Sequence, residues 1–197
     1  MTSTGRVGRP ADPAIGRALR EAAEETLATR GYSELKVDRL VRQVGTTRAA
    51  FHRRYQSIDH LALEILMARF GGRKAEPTGS LLGDLIAIQV KGFRMFTDPT
   101  FARSVLGILA VTQGDLEIRE HYRLGFVAPR REVIRGAITA AVERGELARE
   151  PEDTEYICDL LIGPLFARLL LPTTNELDED FARRTAETVY RELTSGG

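Results

Sequence analysis

Two short helical patterns meet at a single glycine within residues 37–55. Apolar residues recur at three- and four-residue spacing before Gly45, stop there, and resume at Phe51 and Tyr55. A helix that ends and restarts within three residues usually needs one position with positive φ, which glycine adopts without steric cost. The stretch therefore predicts a helix-turn-helix whose second helix spans residues 47–55, with a threonine hydroxyl available to cap its first turn.

The second of these helices has a basic outward face. Its inward side takes Ala50, Phe51 and Tyr55, which leaves basic and small residues on the opposite side: Arg48, Ala49, His52 and Arg53. A short helix with such a face is shaped to enter the major groove of DNA, which is about 12 Å wide. From these residues alone, a solvated amphipathic helix hairpin that binds nothing is the alternative interpretation.

Charge is distributed unevenly along the chain, although the formal net charge is zero. Residues 1–58 hold eleven Lys and Arg against six Asp and Glu, a net charge of +5, and residues 59–197 hold seventeen against twenty-two, a net charge of −5. Attraction to phosphate is a local effect that salt screens beyond about 10 Å at 0.1 M. The basic end is the helix-turn-helix end, so overall neutrality does not exclude a nucleic-acid partner.

Residues 14–70 resemble the amino-terminal DNA-binding domain of the tetracycline-repressor (TetR) family of bacterial transcription regulators. Four successive motifs carry the resemblance at matching spacing: Ala-Thr-Arg-Gly-Tyr at 28–32, Val-Asp-Arg-Leu-Val at 37–41, Val-Gly-Thr-Thr-Arg-Ala-Ala-Phe-His at 44–52 and Tyr-Gln-Ser-Ile-Asp-His-Leu at 55–61. Three positions depart from the family pattern. Lys36 stands where a threonine or serine usually opens the second helix, His52 where a tyrosine is common, and Ile58 where a lysine often touches a phosphate.

Individual roles on double-stranded DNA can be assigned within this domain. Arg48 and Arg53 are candidates for paired hydrogen bonds to guanine, each discriminating by roughly 1–3 kcal/mol, and Ala49 allows close approach or contact with a thymine methyl group. His52 can contact either a base or a phosphate. Contacts to phosphate, which position the protein without reading sequence, are assigned to Lys36, Thr46, Thr47, Arg54 and Tyr55. A solvated surface charge is the alternative role for each arginine.

The chain divides into an arm and two domains. Residues 1–12 are polar and glycine-rich, which predicts a flexible basic arm whose Arg6 and Arg9 can reach an adjacent minor groove. A tail that touches nothing is the alternative. The DNA-binding domain is predicted over residues 13–72, and a helical domain follows a linker and spans residues 79–197.

Helical periodicity fills the second domain, so the predicted fold class is all-α, with about nine helices in total. The resemblance implies an amino-terminal three-helix helix-turn-helix domain joined to a helical ligand-binding and dimerisation domain. Pro129 should kink or split the third helix of this second domain, because proline removes a helix hydrogen bond and clashes with the preceding turn. The five helices predicted there span residues 80–97, 100–112, 115–144, 151–171 and 178–193.

The helix over residues 151–171 has two apolar faces, which need two partners. In the resembled family, the last two long helices pair with their copies in a second subunit. This implies a homodimer that reads the two half-sites of a palindromic operator. The residues assigned to the dimer interface are Tyr156, Gly163, Ala167, Leu170, Ala182, Ala186, Val189 and Leu193. A purely internal role for these residues is the alternative.

A repressor of this family usually releases DNA when a small molecule enters its carboxy-terminal domain. The resemblance therefore implies an unknown small-molecule effector, and aromatic residues at helical spacing favour an apolar or aromatic one. Candidate pocket walls are Phe93, Phe96, Phe101, Leu106, Leu109, Tyr122, Phe126, Tyr156 and Phe166. The alternative is that these residues form an ordinary hydrophobic core.

Several function classes are disfavoured by the composition. The single cysteine, Cys158, excludes an internal disulfide, and no cysteine–histidine spacing, glycine-rich phosphate loop or nucleophile–base pair indicates an enzyme, a metal or another cofactor. No stretch approaches the roughly 20 apolar residues of a membrane span, so we expect a cytoplasmic protein. The alternative function is a helical protein-interaction or small-molecule-binding module without DNA binding.

Overall fold

The computed structural model describes residues 13–71, 76–171 and 176–195, and within these ranges the regular structure is entirely helical. The predicted all-α class is confirmed. A 3₁₀ turn at Tyr32–Glu34 follows the first helix. The amino-terminal helices are α1 (Pro13–Thr29), α2 (Val37–Val44), α3 (Arg48–His52) and α4 (Ile58–Phe70).

The turn between α2 and α3 has the geometry that the sequence predicts. Gly45 adopts φ 70° and ψ 35°, in the left-handed region, and the next backbone N–H, that of Thr46, donates to the carbonyl of Val41 at 2.8 Å. The Thr47 hydroxyl then accepts from the backbone N–H of Ala50 at 3.1 Å and caps α3. However, α3 ends at His52 rather than at residue 55, and a hydrogen-bonded turn leads from it towards α4.

The carboxy-terminal part contains seven helices in its described ranges. Two predicted helices are each divided. The one expected over 100–112 is a short helix and a longer one, and the one expected over 115–144 is two helices joined by a π-helical turn at Arg123–Val127. The elements are α5 (Leu81–Thr97), α6 (Pro99–Ala102), α7 (Val105–Gly114), α8 (Leu116–Tyr122), α9 (Ala128–Glu143), α10 (Thr154–Leu170) and α11 (Glu179–Ser195).

Pro129 explains where the long helix is interrupted. Proline has no N–H and its ring crowds the preceding turn, so it is tolerated in the first turn of a helix but not in a helix interior. The chain places Pro129 in the first turn of α9, directly after the π-helical turn. This confirms the predicted interruption, and the extra residue of the π turn is a common way of absorbing such a break.

One hydrophobic core continues from the DNA-binding part into the carboxy-terminal part. Leu27 of α1 and Leu66 of α4 are fully buried in the same cluster as Phe101 of α6 and Leu165 of α10. A second cluster joins α5, α9, α10 and α11. The two parts are therefore packed together through shared apolar residues.

Backbone hydrogen bonds strengthen this junction. The Arg103 side chain donates to the carbonyls of Ala28 and Thr29 at 2.6 and 2.7 Å, and the Arg103 carbonyl accepts from the N–H of Tyr32 at 3.1 Å. The end of α1 is thus bonded to the segment between α6 and α7. Among the described helices, none is both long and apolar enough to cross a lipid bilayer.

Candidate nucleic-acid interface and effector cavity

The second helix of the helix-turn-helix, α3, separates buried and exposed residues as its periodicity predicts. Ala50 and Phe51 are 5% and 0% exposed and pack inward. On the opposite side four residues are exposed, and they are the ones assigned to base contacts: Arg48, Ala49, His52 and Arg53. A solvent-facing row of this composition can enter a major groove. We refer to these four residues as the reading face.

Arg48 on the reading face forms an ion pair with Asp38 of α2 through two short hydrogen bonds. The pair lowers the pKa of the Asp38 carboxyl, chiefly through these hydrogen bonds, and the positive charge of Arg42 acts in the same direction. Both side chains of the pair are more than half exposed, so the pair is weak in water and can open. Arg48 can therefore exchange Asp38 for a base or a phosphate.

Tyr55 corrects one sequence prediction. It was assigned a phosphate contact, but only 8% of it is exposed, its ring packs against Phe51, and its hydroxyl donates to the carbonyl of Gly16 at 3.3 Å. It holds α1 against the end of α3 instead. Arg54 is half-buried and donates to the carbonyl of Ala50 at 2.9 Å, so part of its guanidinium is engaged within the chain.

The other phosphate candidates lie around the reading face. Lys36 is exposed at the start of α2, Thr47 is exposed at the cap of α3, and Thr46 is half-buried beside it. Arg42 is not among the predicted residues, but it is exposed in the last turn of α2 and close enough to affect the pKa of Asp38. Its position three residues before the turn glycine makes it a further candidate for a phosphate contact. Arg6 and Arg9 lie outside the described residues.

The α4 helix connects the helix-turn-helix to the rest of the chain. Ser57 caps it by accepting from the N–H groups of Asp59 and His60 at 3.2 Å, and Asp59 also accepts a short hydrogen bond from the Tyr32 hydroxyl. Glu117 of α8 accepts from the Gln56 side chain at 3.0 Å and lies 3.7 Å from the His60 ring nitrogen. The start of α4 is therefore fixed both to the DNA-binding part and to α8.

Aromatic side chains of α5, α6, α8, α10 and the π-helical turn, together with residues of α7 and α9, line a cavity of about 330 Å³, which we call the aromatic cavity. Six of the nine predicted pocket residues line it. They are Phe96, Phe101, Leu109, Tyr122, Phe126 and Phe166, joined by residues that were not predicted: Met95, Val127, Arg130, Arg131, Ile134, Cys158 and Ile162. Burial raises the pKa of the Tyr122 hydroxyl to about 12, so this tyrosine is a neutral hydrogen-bond donor at physiological pH.

Three predicted pocket residues are absent from the lining of the aromatic cavity. Leu106 is 57% exposed on α7, and Tyr156 is 50% exposed on α10. Phe93 is half-buried on α5 and does not line the cavity. The apolar periodicity of these helices covers more than one face, so it did not distinguish the face that meets the cavity from the faces that meet solvent or core.

A second cavity, of about 270 Å³, adjoins the first, and we call it the side cavity. Four residues line both: Met95, Arg130, Ile134 and Ile162. The Arg130 guanidinium stacks over the Phe126 ring at 3.5 Å and donates to the Phe126 carbonyl and, at 2.6 Å, to the carbonyl of Phe70. Burial lowers the pKa of Arg130 to about 10, which still leaves it charged near neutrality.

The residues predicted at the dimer interface are mostly exposed on α10 but buried on α11. On α10, Tyr156, Gly163 and Ala167 are exposed and Leu170 is half-buried, so this face is available to a partner. The residues named on α11 are not. Ala182, Ala186 and Val189 are at most 1% exposed and pack within the chain, and Leu193 is half-buried against the same core. The small residues of α11 thus allow close packing on α5.

Family models match most of the chain. The model described as "Bacterial regulatory proteins, tetR family" matches residues 19–65, which contain the helix-turn-helix, and the model described as "Tetracyclin repressor-like, C-terminal domain" matches residues 75–189. The chain belongs to the TetR family. It is accordingly a DNA-binding transcriptional regulator, and the regulators of this family act as dimers and bind small-molecule ligands.

Relatives and solved structures agree with this assignment. The chain is 28% identical over 187 residues to the uncharacterized HTH-type transcriptional regulator YdeS of Bacillus subtilis (strain 168), covering 93% of this chain and 92% of the relative. It has the fold of a TetR transcriptional regulator from Agrobacterium tumefaciens, with a TM-score of 0.69, 18% identity, and coverage of 91% and 94% of the two chains. FadR from Bacillus subtilis, solved with stearoyl-CoA, gives a TM-score of 0.64 at 18% identity, covering 92% and 99%.

Proposed function

We propose that this protein is a homodimeric repressor that binds a palindromic operator and leaves it when a small molecule with an apolar body enters the aromatic cavity. The observation that carries the proposal is the position of α4. Its first turn adjoins the helix-turn-helix, and the carbonyl of its last residue, Phe70, bonds to Arg130 in the cavity wall. A ligand in the cavity thus has a direct route to the DNA-binding part.

On DNA, the reading face enters the major groove. Arg48 and Arg53 donate to guanine, and Ala49 approaches the base edges or a thymine methyl group. Lys36, Thr46, Thr47, Arg42 and Arg54 contact the flanking phosphates. The arm that carries Arg6 and Arg9 reaches the neighbouring minor groove.

Dimerisation uses α10 and α11. One helix-turn-helix covers too few base pairs for strong selectivity, whereas two copies related by a two-fold axis read half-sites one or more helical turns apart. The exposed face of α10, with Tyr156, Gly163 and Ala167, forms one half of the interface. On α11 the interface uses the exposed side, which includes Arg184 and Thr188, in place of the buried alanines.

Release requires that ligand and operator favour different conformations. Besides the bond between Phe70 and Arg130, Met67 of α4 packs so closely on the π-helical turn that a Cβ at Gly125 would overlap it. A ligand that displaces Arg130 or the π turn therefore moves the carboxy-terminal end of α4. Because α4 follows α3 directly, this movement changes the separation of the two reading faces in a dimer.

The structural neighbour FadR, solved with stearoyl-CoA, supports a ligand with a long apolar chain, because it shows that a similar helical arrangement can hold one. The aromatic cavity of this chain is lined by four phenylalanines and few polar groups, which suits an apolar chain. The protein acts by binding alone in this proposal, without catalysis.

Selection of DNA from random duplexes, followed by anisotropy titration at two salt concentrations, tests the proposal. We expect one palindromic sequence to be enriched and bound by two chains, with affinity that falls as salt rises. Light scattering at micromolar protein should give the mass of a dimer. Weak binding without a preferred sequence, or a monomer mass, would contradict it and would favour a helical module that does not regulate through DNA.

A further inference from the structure

We propose that the effector of this protein carries a carboxylate on its apolar body, and that Arg130 is the residue that binds this carboxylate. The inference rests on the proposed function, because it specifies the chemical class of the ligand that the cavity takes. Arg130 lines both the aromatic cavity and the side cavity, so its guanidinium is accessible to a molecule in either.

The partners of Arg130 differ from those of most buried charges. A charge that is removed from water is normally paired with an opposite charge. Within the described ranges, Arg130 forms no ion pair with a carboxylate; it donates to two backbone carbonyls and stacks on Phe126. The next residue, Arg131, is the contrast, because it pairs with Glu155 at 2.5 Å and with Asp159. The Arg130 guanidinium can therefore bind an anion without giving up an existing ion pair among the described residues.

The basic side chains of the cavity walls also favour an anion. They are Lys91, Arg94 and Arg130 in the side cavity, and Arg130 and the already paired Arg131 in the aromatic cavity. No Asp or Glu lines either of these two cavities in the described chain. The remaining wall is mainly apolar, including Phe96, Phe101 and Phe126. Such a site favours a molecule that is apolar at one end and anionic at the other.

A carboxylate can also replace the present partners of Arg130. Two of its N–H groups donate to the carbonyls of Phe126 and Phe70. A carboxylate accepts two parallel N–H bonds from guanidinium and forms stronger hydrogen bonds than a neutral carbonyl does. Binding of the anion would thus release the Phe70 carbonyl, which ends α4, and give the ligand a preference for the conformation that leaves DNA.

Calorimetric titration of the full chain with three probes of equal chain length tests the inference: decanoate, 1-decanol and decylamine. A charge-assisted hydrogen bond in a partly buried site is worth about tenfold or more in affinity. We expect decanoate to bind at least about tenfold more tightly than 1-decanol, and decylamine to bind most weakly. Equal affinity for decanoate and 1-decanol would overturn the inference without the need for any variant.

Variants then identify the residue. Arg130→Gln should bind decanoate and 1-decanol with similar affinities, because it keeps a donor but loses the charge. Arg131→Gln is the matched control, since Arg131 lines the same cavity but already has two carboxylate partners, and it should keep the preference for decanoate. Arg130→Lys should keep part of it. A preference that survives in Arg130→Gln would assign the anion to another cation and contradict the role of Arg130.

The same titrations separate this inference from the proposed function. If 1-decanol releases the selected DNA as well as decanoate does, a ligand-responsive repressor remains and only the anionic ligand class is wrong. If decanoate and 1-decanol both fail to bind, the cavity does not take ligands of this kind and the inference is overturned. Whether the protein selects a palindromic sequence is measured without any ligand, so that part of the proposed function stands or falls separately.

Discussion

Arg48 at the reading face and Arg130 at the cavity carry the same guanidinium group in opposite surroundings. Arg48 is mostly exposed and paired with the carboxylate of Asp38, whereas Arg130 lies partly buried between two cavities and bonds to backbone carbonyls. At the surface, water weakens the existing ion pair, so Arg48 can exchange its partner at little cost. In the cavity, the surrounding protein lowers the effective dielectric constant, so the attraction between Arg130 and an anionic ligand is stronger than at the surface. In our proposal, exposure therefore distinguishes the arginine that reads DNA from the arginine that binds an effector.

The two regions also differ in how their shape is determined. The reading face depends on a short turn and one cap, which local residues specify. The cavity depends on the relative positions of the six helices from α5 to α10 and of the π-helical turn, so its shape depends on the packing of most of the carboxy-terminal part. Variants in each region should therefore produce different kinds of loss.

The largest effect that we expect is the loss of DNA selectivity in an Arg48→Ala/Arg53→Ala double variant. Each base contact is worth roughly 1–3 kcal/mol, so together they should cost roughly 2–6 kcal/mol of discrimination between the selected sequence and unrelated DNA. Anisotropy titration of both DNAs measures it. Arg183→Ala on α11 is the control and should not change selectivity. An equal loss of affinity for every sequence would assign both arginines to phosphates instead.

The next effect concerns the junction of the two regions. A Cβ at Gly107 of α7 would overlap the ring of Tyr32, whose hydroxyl is bonded to Asp59 and whose ring is therefore held in place. We expect Gly107→Ala to lower the free energy of unfolding by roughly 1–3 kcal/mol, as overpacking does. Chemical denaturation gives the value.

Gly136→Ala provides the matched comparison for that substitution. Gly136 lies within α9, and a Cβ there would meet no atom within 4 Å. Alanine should therefore stabilise the protein by roughly 0.5–1 kcal/mol, because it restricts the unfolded chain and favours the helix. If both glycine variants change stability by the same amount and sign, Tyr32 does not pack rigidly at the junction.

A smaller effect should follow from removing the cap of α3. The Thr47 hydroxyl accepts from the N–H of Ala50, and Thr47→Ala should cost about 1 kcal/mol of stability. Thr46→Ala is the control, because the neighbouring hydroxyl caps no helix in this structure, and it should cost less. Urea titrations of the two variants would show the difference. Equal losses would mean that the cap contributes nothing specific.

The smallest effect is on the protonation of Asp38. Hydrogen bonds from Arg48 lower the pKa of Asp38 below its ordinary value of 3.8. A lowered pKa gives stability that is present above the unfolded pKa and is lost as the pH falls through the folded one, so this contribution disappears only below about pH 4. Carbonyl NMR titration should find the lowered value in the wild type and a higher one in Arg48→Ala. An unchanged pKa in that variant would mean that the pair does not persist in solution.

The helix-turn-helix was predictable because its signals are local. Gly45 is needed for a left-handed turn, Thr47 for a cap, and the inward side of α3 requires Ala50 and Phe51, so the exposed arginines followed. The all-α class and the interruption near Pro129 came from periodicity and from the chemistry of proline in the same way. Tyr55 was assigned wrongly because both a phosphate contact and a core position suit its amphipathic side chain.

The cavity and the dimer face were only partly predictable because periodicity does not say which element an apolar face meets. Ala182 and Ala186 looked like a surface for a second subunit, but their small side chains let α11 pack closely on α5 within the chain. Leu106 is predicted to line the pocket, but its side chain is exposed and does not line the aromatic cavity. The sequence does not identify Arg130 as a cavity residue, because a charged residue in a helical pattern is expected at the surface unless its neighbours in space are known.

Release of the operator by decanoate is the measurement that tests the central claim most directly. Labelled operator bound to the wild-type dimer would be followed by anisotropy while decanoate is added, with Arg130→Gln measured alongside. We expect the wild type to release the DNA at the decanoate concentrations that calorimetry shows to fill the cavity. Arg130→Gln also lacks the bond to Phe70, so we expect it to bind the operator more weakly without ligand and to respond no more to decanoate than to 1-decanol. If the wild-type protein keeps its DNA although decanoate occupies the cavity, Arg130 and α4 do not connect the cavity to the reading face.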